Sequence, residues 1–274
     1  MTSPVANTES VQVEVIVPCF NTPGEYLEKA VRSALAQRCV RAVRVQDGGS
    51  TRSDTMEALA KIATWSLVDV VIQYDEGQSD ALNRALDRVQ SDWILWLNAD
   101  DLIEPGSVDQ LAEAAISSDI DFVYGNYRIL DADGTITREF QSSPWSRRRI
   151  FRRGCYIFSG SILMRYSSLR ELGSFDASLS YAMDLDLQLR AATHVRTLKV
   201  ETTVGALRIH GESKTGSGQS GFIHEARAVR VRHSRGVRER TLAYLIALET
   251  GVYIRAQPIR FSRLYGQIRG LRRV

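Results

Sequence analysis

The chain is poor in cysteine and has no long hydrophobic run, and both shortages narrow the classes of protein to which it can belong. Its three cysteines, Cys19, Cys39 and Cys155, show no paired spacing and no neighbouring histidine cluster. This pattern disfavours a disulfide-stapled scaffold or a zinc site and suits a reducing cytosol. No apolar run approaches the roughly 20 residues of a membrane-spanning helix, and residues 1–10 lack a signal-peptide core. We therefore expect a cytoplasmic protein.

Acidic residues become scarce toward the C-terminus. From Arg227 onward arginines accumulate, and only Glu239 and Glu249 oppose them, whereas the whole chain carries a net charge of only +3. So mild a charge does not indicate a nucleic-acid partner. Two interpretations of the basic end stay open: peripheral contact with anionic lipid at the inner face of the cell membrane, or an ordinary solvated surface.

Strand and helix patterns alternate in the first half of the chain. Apolar segments predict strands over 11–17, 40–45, 67–72 and 93–97, and amphipathic segments predict a helix after each one. The first strand is predicted to stop at Pro18, and Thr22-Pro-Gly-Glu25 has the form of a capping box. Repeated strand–helix units of this kind predict an α/β fold with a mostly parallel central sheet flanked by helices.

The pattern changes after residue 119. Segments 122–130 and 135–140 predict a hairpin that turns at Asp133-Gly134. We expect an arginine-rich loop over 147–153, short strands at 198–200 and 206–209, a mobile Gly/Ser-rich loop over 211–221 and two final helices, at about 223–235 and 238–250.

Polar residues follow each of the four predicted parallel strands. In such sheets the carboxyl ends of the strands share one edge, and ligands collect there. The sequence therefore predicts a nucleotide-sized cleft along this edge. Its candidate binding residues are Pro18, Asn21, Asp47, Gly48, Asp75, Gln78, Asp80, Asn83 and Asn98.

Asn98-Ala-Asp-Asp101 follows the fourth predicted strand and is the candidate metal site. Asp100 and Asp101 would supply the hard oxygen ligands that Mg²⁺ or Mn²⁺ prefers, and substrate phosphates would complete the shell. Alternatively, the segment is a plain turn in which Asp101 caps the helix that starts near Ser107. Asp47 likewise has two interpretations, as an acceptor for a base or ribose hydrogen bond or as part of a tight glycine turn.

Two further segments carry chemistry-bearing residues. Asp184 lies where a later helix begins, so it is either an N-cap or a carboxylate held ionised by the helix dipole and ready to accept a proton. His210 opens a Gly/Ser-rich loop that carries Lys214. Loops bearing cations often close over diphosphates, although a lone histidine is usually a satisfied polar residue.

Several segments, in order, resemble the family-2 inverting glycosyltransferases with a GT-A fold. The matching segments are Val15-Ile-Val-Pro-Cys-Phe-Asn21, Asp47-Gly-Gly-Ser-Thr51, Asp75-Glu-Gly-Gln-Ser-Asp-Ala-Leu-Asn83, Leu97-Asn-Ala-Asp-Asp101, Gly173-Ser-Phe-Asp176, Met183-Asp184 and Arg208-Ile-His-Gly-Glu-Ser-Lys-Thr215. The last segment is similar to one found in members that build bacterial surface polysaccharides. Asn98 stands where the family usually has the first acid of its metal motif.

The resemblance implies a metal-dependent transferase that moves a sugar, with inversion, from a UDP-, GDP- or dTDP-sugar to a saccharide or lipid-linked acceptor. Asp184 would then be the catalytic base, and Asp100, with Asp101 or His210, would hold Mn²⁺ or Mg²⁺. Two alternatives stay open: a sugar-phosphate nucleotidyltransferase and a non-catalytic nucleotide-sugar-binding module. We expect residues 1–220 to form the GT-A domain and residues 221–274 a basic helical extension packed on it.

Overall fold

The computed structural model of the protein describes residues 11–116, 119–211 and 219–256. Its strands are β1 (Val13–Cys19), β2 (Val40–Asp47), β3 (Val68–Ile72), β4 (Trp93–Trp96), β5 (Leu102–Ile103), β6 (Phe122–Leu130), β7 (Ile136–Phe140), β8 (Ile162–Arg165) and β9 (Thr197–Arg208). Its helices are α1 (Gly24–Leu35), α2 (Ser53–Ile62), α3 (Gln78–Leu86), α4 (Ser107–Ile116), α5 (Arg147–Arg153), α6 (Tyr166–Glu171), α7 (Met183–His194), α8 (Gln219–Arg232) and α9 (Val237–Ala256).

The predicted α/β fold is confirmed, and its strands form one mixed sheet in the order β3-β2-β1-β4-β8-β6-β9-β5, with β7 added beside β6. The first four strands of that order are parallel, as the alternating pattern predicts. Beyond β4 the pairs are antiparallel, apart from β6 with β9. The predicted parallel arrangement therefore applies to the half of the sheet whose strand ends carry the candidate site.

Helices cover both faces of the sheet, and each face has its own core. One core packs α1, α2 and α4 on the sheet through residues such as Leu27, Leu59 and Leu111. The other packs α3 and α5 to α9 through residues such as Leu82 and Phe151. The strands between the two cores are apolar on both sides, which explains why β1 is buried along its whole length.

β1 does not stop at Pro18, as the sequence predicts, but continues to Cys19. Pairing of β1 with β4 ends at Ile16, whereas pairing with β2 continues to Cys19. A proline lacks the N–H that a central strand needs, and Pro18 lies where that bond is not required. The ends of β1 and β4 are therefore not paired with each other beyond Ile16, and space opens between these two strands.

Three other local predictions are also wrong. The predicted capping box is absent, because α1 begins at Gly24 after Pro23, and the Gly24 amide donates instead to the Asp54 carboxylate at 3.1 Å. The segment Arg147–Arg153 is a helix rather than a loop, and the Ser146 side chain accepts a hydrogen bond from the Arg149 amide at its start. The two short strands predicted near 200 and 207 are one strand, β9, which pairs along β6.

The last two helices pack against α5 and α7 through charged groups as well as apolar ones. Arg147 forms two hydrogen bonds of 2.8 Å with the Glu239 carboxylate. The Asp186 carboxylate lies 2.8 Å from His233 Nε2 and accepts a 2.8 Å bond from Arg190 Nε. The described part of the C-terminal region is thus joined to the rest of the fold, while the boundary at residue 220 stays a prediction.

Within the described part of the chain, no helix combines the length and the apolar character that crossing a bilayer requires.

The Arg147–Glu239 pair predicts a pH-dependent contribution to stability. Hydrogen bonds from Arg147 lower the pKa of Glu239 to about 2, and the Arg235 amide contributes further. A lowered carboxyl pKa stabilises the folded state above the unfolded-state pKa, and that stabilisation is lost as pH falls through the folded-state value. We expect Glu239→Gln to lower the free energy of unfolding by about 1 kcal/mol at pH 7, and the difference from wild type to vanish near pH 2.

Thermal unfolding at pH 7, 5 and 3 measures this difference. Glu249→Gln is the matched control, because Glu249 is exposed on the same helix. A difference between wild type and Glu239→Gln that is constant from pH 7 to pH 3 would contradict the assignment.

Candidate active site

A cleft of about 600 Å³ lies at the carboxyl ends of β1 to β4, where the sequence predicts it. One wall comes from the loops that follow β1 and β3 and from the start of α3. The opposite wall comes from the segment after β4 and from the end of β9. The candidate binding and metal residues from the sequence analysis that line the cleft are Pro18, Asn21, Gly48, Asp75, Gln78, Asn98, Asp100 and His210.

Asn21 and Asp47 shape the loops that follow β1 and β2. Asn21 Oδ1 accepts the backbone amides of Thr51 and Arg52 at 2.8 and 3.0 Å. Its backbone has φ +49°, a left-handed value that asparagine tolerates. The Asp47 carboxylate is fully buried and accepts the amides of Gly49 and Ser50 at 3.0 and 2.8 Å. Asp47 therefore holds the turn that carries the cleft residue Gly48 and is not itself among the lining residues, and its role in nucleotide binding stays a prediction.

At Gly48 the Asp75 carboxylate occupies the space that a side chain would take. A Cβ at position 48 would lie 2.6 Å from Asp75 Oδ2, well inside van der Waals contact. Burial raises the pKa of the Asp75 carboxyl, and the negative charges of Asp80 and Asp47 raise it further. A hydrogen bond from the Gly77 amide lowers this pKa but does not cancel the increase. Asp75 thus lies close to the Gly48 backbone in the cleft wall, and a larger residue at position 48 would displace its carboxylate.

Asn98 joins three elements through its amide group. Its Oδ1 accepts Gln78 Nε2 at 2.8 Å and Trp96 Nε1 at 2.9 Å, and its Nδ2 donates to Asp101 Oδ2 at 2.7 Å. A carboxylate at position 98 could not donate to Asp101, and it would add a negative charge beside a buried one. This explains the amide in place of the acid that the resemblance leads one to expect.

Asp101 is fully buried and is not among the residues that line the cleft. Its Oδ1 accepts the Arg208 amide at 2.8 Å, and its Oδ2 accepts Asn98. Burial and the neighbouring Asp100 charge raise the pKa of the Asp101 carboxyl well above its usual range. Both Asp101 oxygens thus accept hydrogen bonds inside the protein, and its role as a metal ligand stays a prediction.

Asp100 and His210 meet in the cleft although 110 positions separate them in the chain. His210 Nε2 lies 2.9 Å from Asp100 Oδ2, and the ring packs edge-on against Tyr26. Arg208 donates from Nε to the Asp100 carbonyl at 3.0 Å and lies over the same Tyr26 ring. The arrangement brings a carboxylate, an imidazole and a guanidinium to one side of the cleft.

A metal would have to use these two donors with oxygens from outside the protein. No three His, Cys, Asp or Glu side chains form a metal-holding group in residues 11–116, 119–211 and 219–256. Magnesium sites commonly use one or two carboxylates and complete their shell with water and substrate phosphates. Asp100 and His210 fit that incomplete type of site, and they do not form a closed protein cage.

Asp80 and Asn83 hold α3 and do not line the cleft. Although burial raises its pKa, a hydrogen bond from Arg84 and one from the Glu76 amide lower the pKa of Asp80 overall. Asn83 makes two hydrogen bonds to the backbone of Phe175, from Nδ2 at 2.8 Å and to Oδ1 at 3.1 Å. Asn83 therefore fixes the 173–176 loop to α3, so its predicted place among the binding residues is indirect.

Asp184 lies in the first turn of α7, one residue after its start at Met183, and it is not among the lining residues of the cleft. Its Oδ1 accepts the Leu185 amide at 2.7 Å. Ser180, four positions earlier, does line the cleft, so the segment that leads to Asp184 forms part of its wall. Lys214 and most of the predicted loop over 211–221 lie outside the described residues.

Sequence reasoning missed Glu225, which fixes that segment from α8. Its carboxylate accepts three consecutive backbone amides, those of Ser180, Tyr181 and Ala182, at 2.7 to 3.1 Å. Gly221 lies on α8 against Tyr181, and a Cβ there would be 2.7 Å from the ring. No local pattern around Glu225 indicates this contact, because its partners lie about 45 positions earlier.

Two exposed aromatic side chains at the cleft were also missed. Phe20 and Tyr74 both line it and are 62 % and 79 % exposed. Aromatic rings left open to water beside a polar cleft offer a stacking surface. The available signal was an aromatic residue in two of the four polar segments that follow the parallel strands.

Comparison with known proteins identifies the relatives of this fold. The family model described as Glycosyl transferase family 2 matches residues 14–172. An uncharacterized glycosyltransferase of Rickettsia conorii is 26% identical over 186 residues, which cover 64% of this chain and 30% of that protein. A chondroitin synthase of Escherichia coli is 29% identical over 183 residues, with coverage of 65% and 26%. The chain therefore spans less than a third of the length of these two relatives.

The fold is similar to that of S. aureus TarS. Residues 1–349 of TarS in complex with UDP-GlcNAc superpose with a TM-score of 0.66 at 17% identity, covering 94% of this chain and 79% of that one. The corresponding complex with UDP gives 0.63 at 18% identity, with coverage of 92% and 75%. At this level of identity the likeness shows the shared fold.

The Glu225 contact predicts local and global effects of a single substitution. Glu225→Ala leaves three adjacent amides without their acceptor, so we expect a loss of about 1–3 kcal/mol in the free energy of unfolding. Hydrogen exchange at Ser180, Tyr181 and Ala182 should accelerate more than elsewhere. Glu249→Ala, an exposed change on α9, is the control, and unaltered exchange at the three amides in Glu225→Ala would refute the contact.

Proposed function

The chain belongs to glycosyl transferase family 2, and we propose that it transfers a sugar from a nucleotide-diphosphate donor to an acceptor hydroxyl with inversion at the anomeric carbon. The carrying observation is the cleft at the carboxyl ends of β1 to β4, where Asp100 and His210 face the space left between neighbouring strands. The TarS complexes with UDP-GlcNAc and UDP, on a similar fold, support a nucleotide-sugar donor.

The wall made by the loops after β1 and β3 suits the nucleoside part of the donor. Phe20 and Tyr74 offer ring faces for a base, and Asp75 and Asn21 offer polar groups beside them. Asp47 and Asp80, which hold the loops beside this wall, would orient the nucleotide. The nucleoside would thus lie against rigid backbone, which reduces the entropy lost on binding.

The opposite wall suits the diphosphate. The Arg208 guanidinium lies at the cleft with Asp100 and His210. Asp100 and His210 would hold Mn²⁺ or Mg²⁺ together with phosphate oxygens. When bound, the ion would neutralise the negative charge that grows on the leaving nucleoside diphosphate. The predicted contribution of Lys214 to this wall stays a prediction.

Asp184 would act as the general base. In the reaction the acceptor oxygen forms a bond to the anomeric carbon while the bond from that carbon to the diphosphate oxygen breaks. The acceptor proton passes to Asp184, and the electron pair leaves with the diphosphate, so the anomeric centre inverts. Ser180 in the cleft wall, with the Glu225 contact that fixes residues 180–182, supports a position for α7 beside the acceptor.

The proposed acceptor class is supported by one of the relatives. Similarity to a chondroitin synthase supports a role in polysaccharide or glycoconjugate biosynthesis, with a saccharide or lipid-linked acceptor. The acceptor must present a hydroxyl that is deprotonated only as it attacks, which is the task that positioned carboxylates perform.

The donor and metal assignments are tested by nucleotide titration. UDP, GDP and dTDP are titrated by calorimetry with and without Mn²⁺, and we expect one of them to bind more tightly with the ion. Asp100→Ala should remove this gain, which we expect to be roughly tenfold in affinity. The substitution deletes the carboxylate that would bind the cation beside the donor phosphates. Asp133→Ala, an exposed change in the β6–β7 turn, should leave the titration unchanged. A Mn²⁺ dependence that survives in Asp100→Ala would reject the metal site.

The base is tested by Asp184→Asn. Sugar transfer, and slow donor hydrolysis, should fall by about 10²–10⁴-fold because positioned base catalysis supplies this much. Nucleotide affinity should persist, since Asp184 lies outside the donor wall. Asp87→Asn, at an exposed carboxylate, is the control. Full turnover in Asp184→Asn would rule out the assignment, and no turnover of any donor by wild type would favour a binding module.

A further inference from the structure

The last described helix carries an apolar face that is turned away from the protein. Val237, Tyr244, Leu245 and Leu248 on α9 are 78%, 48%, 56% and 65% exposed. Large apolar side chains this exposed are single and scattered on most monomer surfaces. Here they recur on one helix at the spacing of successive turns.

The helix geometry separates this face from the packed one. Successive residues rotate by about 100° around a helix axis, so Val237, Thr241, Tyr244 and Leu248 share one side. Ala243 is fully buried, and Glu239 is bonded to Arg147, on the opposite side. The apolar face therefore points outward, and among the described elements α8 covers part of it through Arg227, which lies over Tyr244.

Exposed arginines border the face. Arg238 and Arg240 flank it on its two sides, and Arg235 precedes it. Arg227 of α8 lies over the Tyr244 ring at 5.3 Å. Of the two acidic residues of α9, Glu249 is exposed, whereas Glu239 accepts hydrogen bonds from Arg147 and from the Arg235 amide.

Further positive charge lies beside the same helix. The pair between Arg147 and Glu239 joins α5 to the start of α9, and Arg148, Arg152 and Arg153 of α5 are exposed. In the sequence after Glu249 there are six arginines and no acidic residue. The apolar face thus belongs to a region of strongly positive sign.

We propose that this face of α9, with the arginines that border it, lies in the plane of an anionic lipid surface. An outward apolar stripe between cationic flanks matches the boundary between acyl chains and negatively charged headgroups. A second copy of the chain fits less well, since four side chains offer far less than the roughly 800 Å² per partner of a standard interface. Two such faces would also bring like charges together. The proposal is independent of the sugar-transfer reaction.

Vesicle co-sedimentation of the full chain tests the proposal. At low salt we expect binding to vesicles of phosphatidylglycerol and phosphatidylcholine and little binding to phosphatidylcholine alone. Leu245→Glu with Leu248→Glu should lower the partition coefficient by roughly tenfold or more, as should Arg238→Gln with Arg240→Gln. Met56→Glu, at an exposed apolar residue of α2, is the matched control and should bind like wild type.

Each outcome decides the question. All of these substitutions are at exposed positions, and thermal unfolding verifies that each variant is folded. Equal vesicle binding by wild type and both double variants, or absence of binding by wild type, would overturn the proposal. A concentration-dependent dimer in sedimentation velocity, lost in Leu245→Glu with Leu248→Glu, would instead assign the face to a second copy of the chain and would also overturn it.

Discussion

The buried carboxylate of Asp101 is the contact on which the cleft depends. It ties the end of β4 to the end of β9 by accepting one hydrogen bond from Asn98 and one from the Arg208 backbone. A carboxylate without water is tolerated only when such bonds satisfy it. Asp100 precedes Asp101 in the sequence, and His210 follows Arg208 by two positions. Because the two strand ends are joined, His210 Nε2 lies 2.9 Å from Asp100 Oδ2.

Adjacent residues thus have opposite tasks. Asp100 lines the cleft, whereas the Asp101 carboxylate is buried and accepts hydrogen bonds from Asn98 and the Arg208 amide. Asn98 completes the division, because its amide can accept from Gln78 and Trp96 while it donates to Asp101. A third acid in the same turn would place like charges together without a donor between them.

The sequence was informative where structure is local. Alternation of apolar and amphipathic segments predicts the parallel strands, and the polar residues that follow them predict the edge on which the cleft lies. Roles that depend on distant partners were out of reach. Asn83 bonds to a backbone 92 positions later, and nothing in its own segment indicates this. The helix at Arg147–Arg153 resembles a loop in its charges, since the acid that pairs with Arg147 lies 92 positions away.

The long separation between the two sides of the cleft has a consequence for biosynthesis. The segment that matches the family model ends at residue 172. Ser180, Arg208 and His210 are therefore synthesised after the whole of that segment. At ordinary elongation rates, on the order of 10 s pass between the synthesis of Asp100 and that of His210. During this interval a nascent chain holds Asp101 without its partner from β9, so the side of the cleft that carries Asp100 and His210 is completed only after β9 has been made.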